Sequence, residues 1–420
     1  MNETRPTGAL WRFRVLAGAY AVTSYGTYLN MVALNLFVFE LTGSALYLGV
    51  FLAVRLVSGS VAGLVAARLL ARVPHRRVML LGNLAQATTL LLLVVAPAEA
   101  RVFLLFAMAV TNGCGGSLFM VALRSSVPEL VGPERRTWAN SLVVTGRSLG
   151  MVAGFASAGL VVSLWGYDVA FLIDAASFLV CAAAIAWLHH PVVAAPADPV
   201  TRSRPRVRGG LAGLGGLLAG MVLLRGLDAL GSSSHNAALP VYSALLDPAR
   251  PATFVSWFLT SWAIGNILAQ QGIRLAAKRG RGVGVLGFAL GTIVMSTAFI
   301  AGFAGFPLVL TTVIALVAGC ADGLTEVSYT NHLQTLQGSA RDRVFGLSAT
   351  VENLGFGLGM VVNAALLDRY SPLPVVAGSH GVAVLAALVF LGWLWWRGRT
   401  VPDGLAPHRD HRDGAEVPRS

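Results

Sequence analysis

Charge is scarce in this chain of 420 residues: Asp, Glu, Lys and Arg together make up 12% of it, against about 25% in a soluble globular domain. Lysine is scarcer still, with Lys278 the single copy. A P-loop needs a lysine after glycine to reach nucleotide phosphates. Lys278 follows Ala277, so the chain has no such site for hydrolysing ATP. Cysteine is also rare. Cys114, Cys181 and Cys320 all fall in apolar stretches, with no disulfide framework and no Cys-x-x-Cys metal spacing. No catalytic residue, metal site or cofactor is therefore expected, and the chain does not read as an enzyme.

What the chain has instead is apolar length. Hydrophobic residues make up 55% of it, and segments of about 20 mostly apolar residues recur along it, which is the pattern of membrane-spanning helices. Twelve spans are predicted, near 14–38, 45–69, 78–97, 102–124, 138–163, 168–188, 211–240, 253–275, 283–303, 308–332, 344–367 and 375–396. The seventh is too long for a simple span, and SSSHNAALP (232–240) is expected to break or end it. The polar start MNETRPTGALWRFRV has no small-residue cleavage signal, so the first span is expected to be retained.

The net charge of +12 would suggest nucleic acid as partner in a soluble protein. In a membrane protein it reads as basic cytoplasmic loops, with no nucleic-acid partner. With both termini inside, the inner segments hold 25 of the 31 Lys and Arg, and the outer loops hold three, Arg101, Arg250 and Arg369. That asymmetry predicts cytoplasmic termini. The linker HHPVVAAPADPVTRSRPRVRGG (189–210) divides an N-terminal six-helix bundle (1–188) from a C-terminal one (211–397), and 398–420 reads as a disordered cytoplasmic tail.

The halves repeat. NGCGGSL (112–118) in span four matches AGCADGL (318–324) in span ten at an offset of 206, which also aligns LVGPERRTW (130–138) with LQGSARDRV (336–344). At an offset of 205, Gly150 and Gly154 match Gly355 and Gly359. These small-xxx-small pairs are expected to serve packing and rocking of helices. Two parallel six-helix repeats are the architecture of alternating-access carriers, which favours a carrier over a channel.

On the repeat, and on VPELVGPERRTWANSL (127–142) and WGYDVAFLIDAASFLV (165–180), the chain resembles the major facilitator superfamily, and within it the bacterial drug, macrolide and siderophore exporters, over about residues 10–397. The resemblance implies an all-α membrane fold of two pseudo-symmetric halves, with helices one, four, seven and ten around a central cavity. It also implies a monomer in the bacterial cytoplasmic membrane. The superfamily's Gly-x-x-x-Asp-Arg-x-Gly-Arg-Arg loop reads ARLLARVPHRR (67–77) here. Arg72, Arg76 and Arg77 match its basic gating positions, while Ala67 and Ala71 replace its first Gly and its Asp. In GMVAGFASAG (150–159), Phe155 stands where antiporters typically have Pro.

The remaining information lies in charges within spans: Arg55, Arg147, Asp174, Arg225, Asp228, Asp322, Glu326 and Glu352. Each costs at least about 2.5–3.5 kcal/mol at the bilayer centre unless paired or hydrated. Asp322 and Glu326 lie one helical turn apart on one face. Two ionised carboxylates that close repel, so one of them can hold a proton near neutral pH, or the pair can bind a cationic group. Asp322, Glu326 and Glu352 are the expected proton-coupling residues. Arg225 and Asp228, three apart, are expected to pair. Arg55 and Glu352 are expected to form an ion pair across the halves that acts in gating. Arg147 is expected to meet an anionic group or a nearby acid, and Asp174 to be structural. Tyr25, Tyr28, Asn30 and Asn112 join Arg147, Arg225, Asp228, Asp322 and Glu326 as candidate substrate contacts. The function expected is proton-coupled export of an amphipathic small molecule such as an antibiotic. A siderophore exporter, an importer and a non-transporting sensor are the alternatives.

Overall fold

A computed structural model describes residues 7–188, 214–279, 284–336 and 338–400. The expected linker 189–210 and most of the expected tail 398–420 lie outside these residues. Among them are twelve α-helices and no strand: α1 (Thr7–Thr42), α2 (Ala45–Leu70), α3 (His75–Val95), α4 (Ala98–Val131), α5 (136–165), α6 (167–187), α7 (Gly216–Leu246), α8 (Pro251–Lys278), α9 (Val285–Gly302), α10 (Leu308–Gln334), α11 (Gly338–Leu367) and α12 (Pro372–Thr400). The twelve predicted spans each find their helix. Helices α5 and α6 are separated by one residue, Gly166, whose φ of 79° is open to glycine and strained for other residues.

Nearly all of these helices are long and apolar enough to cross a membrane. The two that fall short of that standard are α1 and α7. Their sequences carry the polar residues that the site requires, so low hydropathy here marks cavity-facing helices. The expected break at 232–240 is not found. Helix α7 runs through Pro240 to Leu246, and Ser232, Ser233, Ser234 and Asn236 stay within it. Their side chains bond back to the helix: Ser233 Oγ donates to the Leu230 carbonyl at 2.6 Å and Asn236 Nδ2 to the Ser232 carbonyl at 2.9 Å. A polar stretch can therefore stay helical inside an apolar bundle.

The repeat is visible in the packing. Helix α1 packs on α5 as α7 packs on α11, and α2 packs on α4 as α8 packs on α10. The repeated glycines sit at these crossings. A Cβ on Gly150 would come within 2.8 Å of the Ala21 carbonyl on α1, and one on Gly355 would overlap the Gly226 carbonyl on α7. Likewise, a Cβ on Gly113 would overlap the Arg55 carbonyl, and one on Gly319 the Trp262 carbonyl. The glycines let backbones touch, as close helix approach in membranes demands.

The two halves meet through α2 against α11 and α5 against α8. Their contact is concentrated at the end of the bundle away from the start of α1 and the end of α12. There Ala252 and Val255 of α8 join the N-terminal core, and Ala45 joins the C-terminal core. Asp368 latches this far end: its carboxylate accepts the Ala45 backbone N–H at 2.7 Å and the Ser44 hydroxyl at 2.9 Å. At the terminal end, each half keeps a core of its own, around Phe13 and Phe119 in one and around Met221 and Phe288 in the other. The bundle is closed at the far end and open at the terminal end.

Candidate functional site

Two adjoining cavities share Met31, Arg55, Asn112 and Gly116: one of about 560 Å³ between the halves, and one of about 510 Å³ lined by the N-terminal half. Helices α1, α2, α4, α7 and α11 line the larger cavity, and α1 to α6 line the smaller. The charge cluster stands in the C-terminal half, where three helices converge on one arginine. Arg225 of α7 makes ion pairs with Asp228 at 3.3 Å, Glu326 of α10 at 2.6 Å and Glu352 of α11 at 3.1 Å. Its guanidinium also lies over the Tyr329 ring, 5.7 Å from the centroid. Tyr329 is held in turn by Ser348. Planar guanidinium, with donors fanned in a fork, suits this convergence better than a lysine ammonium.

Arg225 is mostly buried, whereas the side chains of Glu326 and Glu352 are 48% and 38% exposed. The cluster is thus rooted in the bundle and wet at its carboxylate edge. Asp322, one turn from Glu326, is bonded separately. It accepts Asn266 Nδ2 of α8 at 2.9 Å, and Gln270 Nε2 steadies that amide through Asn266 Oδ1 at 2.7 Å. So the acid pair does not act as an isolated carboxylate dyad: Glu326 belongs to Arg225, and Asp322 to an amide chain. The Arg225–Asp228 pair forms as spaced. The expected Arg55–Glu352 pair does not form in this structure, because Glu352 takes Arg225, which reaches it from the neighbouring helix α7 within the same half.

The N-terminal wall differs. Arg55, Arg124 and Arg147 line the cavity of about 510 Å³, with Tyr20 and Tyr28 beside them. Arg147 Nε donates to the Tyr28 hydroxyl at 2.9 Å. Asn112 faces both cavities. Asn30 does not. It is 2% exposed and donates through Nδ2 to Asp174 Oδ2 at 2.7 Å, so the reading of Asn30 as a substrate contact is corrected to a helix-packing bond. Ser177 Oγ gives Asp174 a second donor at 3.2 Å. Tyr25 is turned into the α1–α5 contact, where its hydroxyl accepts from Ser157 at 3.2 Å. Neither Asn30 nor Tyr25 lines the two cavities.

Among the described residues, the side chains of the basic loop 67–77 show hydrogen bonds only within the N-terminal half. Arg76 donates to the Ile185 carbonyl at 3.0 Å and the Ala186 carbonyl at 2.5 Å, capping α6 at its negative end. Arg72 and Arg77 are exposed. One stretch, GRSLG (146–150), spells the Gly-x-Ser-x-Gly of a nucleophile elbow, but it lies inside α5 and not at a strand-to-helix turn. Among the described residues, no group of three or more His, Cys, Asp or Glu could hold a metal ion.

Sequence reasoning missed Asn266, Gln270 and Tyr329. The first two lie one turn apart on α8, which is a signal the sequence did offer.

Comparison with known proteins places this geometry. Residues 16–219, just under half of the chain, match the Major Facilitator Superfamily. No curated protein matches the chain. Among solved structures it is similar to a mutant of the nucleoside transporter NupG (TM-score 0.72, 16% identity, covering 91% of this chain and 99% of that one). It is likewise similar to a bacterial homologue of the iron transporter ferroportin in an inward-facing state (0.70, 15%, 91% and 98%). A third is the peptide transporter POT in complex with sulfate (0.71, 14%, 92% and 95%). The chain has the fold of the Major Facilitator Superfamily, with twelve helices in two pseudo-symmetric halves.

Proposed function

We propose that the chain is a secondary active transporter that exports an amphipathic small molecule, an antibiotic, drug or other secondary metabolite, by alternating access coupled to protons. The observation that carries this reading is the Arg225 cluster, where carboxylates from three helices converge on one arginine and two of them, Glu326 and Glu352, stay partly exposed. The charge asymmetry of the loops supports cytoplasmic termini and a bacterial cytoplasmic-membrane location. In that orientation the cavity opens to the cytoplasm, ready to load a molecule for export. A monomer suffices, since both halves of the cavity come from one chain.

Coupling follows from competition. With Glu326 and Glu352 ionised, Arg225 ties α7 to α10 and α11. A proton on either glutamate weakens its hold on Arg225, and a cationic group of the substrate competes for the same oxygens. Proton and substrate then exclude each other, which is what antiport requires. The helices are free to rock because the repeated glycines keep their crossings smooth. A siderophore exporter is the second reading, favoured by the three arginines of the N-terminal wall.

The test is uptake into inside-out membrane vesicles, with and without a pH gradient, in wild type and in Glu326→Gln, Glu352→Gln and Asp322→Asn. Gradient-dependent uptake that is lost in the glutamate variants at normal protein levels is expected. Uptake that survives all three changes would remove this cluster from coupling.

A further inference from the structure

The N-terminal half lines its cavity with charge as one-sided as that of the C-terminal cluster, with the opposite sign. Arg55, Arg124 and Arg147 all line the same cavity, and among the described residues no carboxylate lines it with them. Among the described residues, none of the three makes an ion pair. Arg147 has a neutral partner, the Tyr28 hydroxyl at 2.9 Å. The carboxylate acting on Arg55 is Asp174, which is fully buried behind the wall and bonded to Asn30 and Ser177. In the other half, Arg225 is surrounded by Asp228, Glu326 and Glu352, with Asp322 a turn from Glu326.

The two halves also match in depth. At 1.5 Å per residue, Arg124, Arg147 and Arg55 stand about 10, 16 and 22 Å from the terminal ends of α4, α5 and α2. On the same scale, Glu326 and Glu352 stand about 12 and 21 Å from the terminal ends of α10 and α11. The arginines form a ladder from the open mouth to the closed apex, over the same range of depth as the carboxylates of the other half. A lone cation this deep in a membrane protein needs an anion or water. Three of them on one wall, with Asn112 and Tyr20 lining the same cavity, make a site that a planar anion fits.

We propose that this wall is an anion subsite and that the transported molecule is a zwitterion, with a carboxylate-type group on Arg147 and Arg55 and a cationic group toward Glu326 and Glu352. Arg124, nearest the mouth, draws the anionic end in. The proposal rests on the transporter reading for its cargo, but its binding chemistry can be measured without transport.

A matched series of probes separates the charges on one aromatic scaffold: norfloxacin (zwitterion), its ethyl ester (cation) and its N-acetyl derivative (anion). Binding to the full chain in nanodiscs is measured by microscale thermophoresis. Norfloxacin is expected to bind at least tenfold more tightly than either derivative. Arg147→Gln and Arg55→Gln are expected to weaken norfloxacin and the acetyl derivative tenfold or more, leaving the ester within twofold. Arg147→Lys, which restores the charge, is expected to recover most of the loss, and a melting transition confirms that each variant is folded. The ester binding tightest overturns the proposal. So does an equal loss for all three probes in the arginine variants, or no binding of any probe to folded wild type. Vesicle transport that fails while this binding order holds would reject the transporter reading and leave the anion subsite standing.

Discussion

The two halves of this molecule share a fold and a repeat, and they use them for opposite chemistry. In the C-terminal half, three carboxylates gather around one arginine, and its bonds run from helix to helix across α7, α10 and α11. In the N-terminal half, three arginines line the cavity and the carboxylate of Asp174 is buried away from it. The glycines that set the helix crossings recur in both halves, while the charges do not: Asp322 aligns with Gly116, and Glu326 with Met120. Scaffold is what the repeat preserves, and the site is what departs from it. The sequence match to the superfamily, over 16–219, falls on the N-terminal half and stops at the start of α7.

The comparison breaks most completely at Arg225. Arg225→Ala leaves Asp228, buried, and Glu326 and Glu352, partly exposed, without their common cation. Removing one partner of a buried ion pair costs about 3–5 kcal/mol, and the low end applies here because water reaches the glutamates. Thermal unfolding followed by size-exclusion fluorescence is expected to show a large drop in midpoint and loss of transport. The matching change in the other half, Arg147→Ala, removes a cation bonded only to a tyrosine hydroxyl, and is expected to change the midpoint little. Equal losses in the two variants would show that the arginines do the same structural work.

The shared scaffold gives the second contrast. A methyl group at Gly319 would overlap the Trp262 carbonyl, and one at Gly113 the Arg55 carbonyl, so Gly319→Ala and Gly113→Ala must both push helices apart. Overpacking of this kind costs roughly 1–3 kcal/mol. Gly116, three residues beyond Gly113, has nothing within 4 Å of a Cβ and faces the cavity, so Gly116→Ala is expected to be neutral in the same unfolding assay. Gly116→Asp goes further: it places in the N-terminal half the acid that the repeat has at Asp322. The open space predicts a folded protein, and the arginine wall predicts several-fold weaker binding of the anionic probe. A folded Gly116→Asp variant with unchanged anion binding would separate Gly116 from the arginine subsite.

These contrasts also mark what could be read from sequence. The twelve helices, the repeat and its glycines, and the Arg225–Asp228 pair all rest on spacing along one helix or between aligned segments, and spacing is visible in a sequence. The convergence of Glu326 and Glu352 on Arg225 rests on three helices meeting, and no local pattern encodes it. Sequence therefore assigned Glu352 to Arg55, a plausible partner by depth, when a nearer arginine lay within its own half. Asn30 was misjudged for a related reason. Helix α1 carries polar residues around most of its circumference, and only packing distinguishes Tyr28, which meets Arg147, from Asn30, which meets Asp174. Pro240 misled differently, since tertiary packing kept α7 helical across a residue that ends isolated helices.

The smallest expected effect tests where the halves touch. Asp368, at the end of α11, accepts the Ala45 N–H at the start of α2 and the Ser44 hydroxyl, and so joins the two halves at the closed far end. A carboxylate at a helix N-terminus is favoured by the unpaired N–H groups there and by the helix dipole. Asp368→Asn keeps the shape and one acceptor but loses the charge. The loss should be about 1 kcal/mol, enough to change the ratio of far-end-closed to far-end-open molecules roughly fivefold. Spin labels on the far ends of α2 and α11, read by double electron–electron resonance, report that ratio directly. A longer-distance population that grows in Asp368→Asn, with the melting midpoint almost unchanged, assigns the contact to gating. If instead the distance distribution stays put and the midpoint falls, the contact belongs to the scaffold that both halves share.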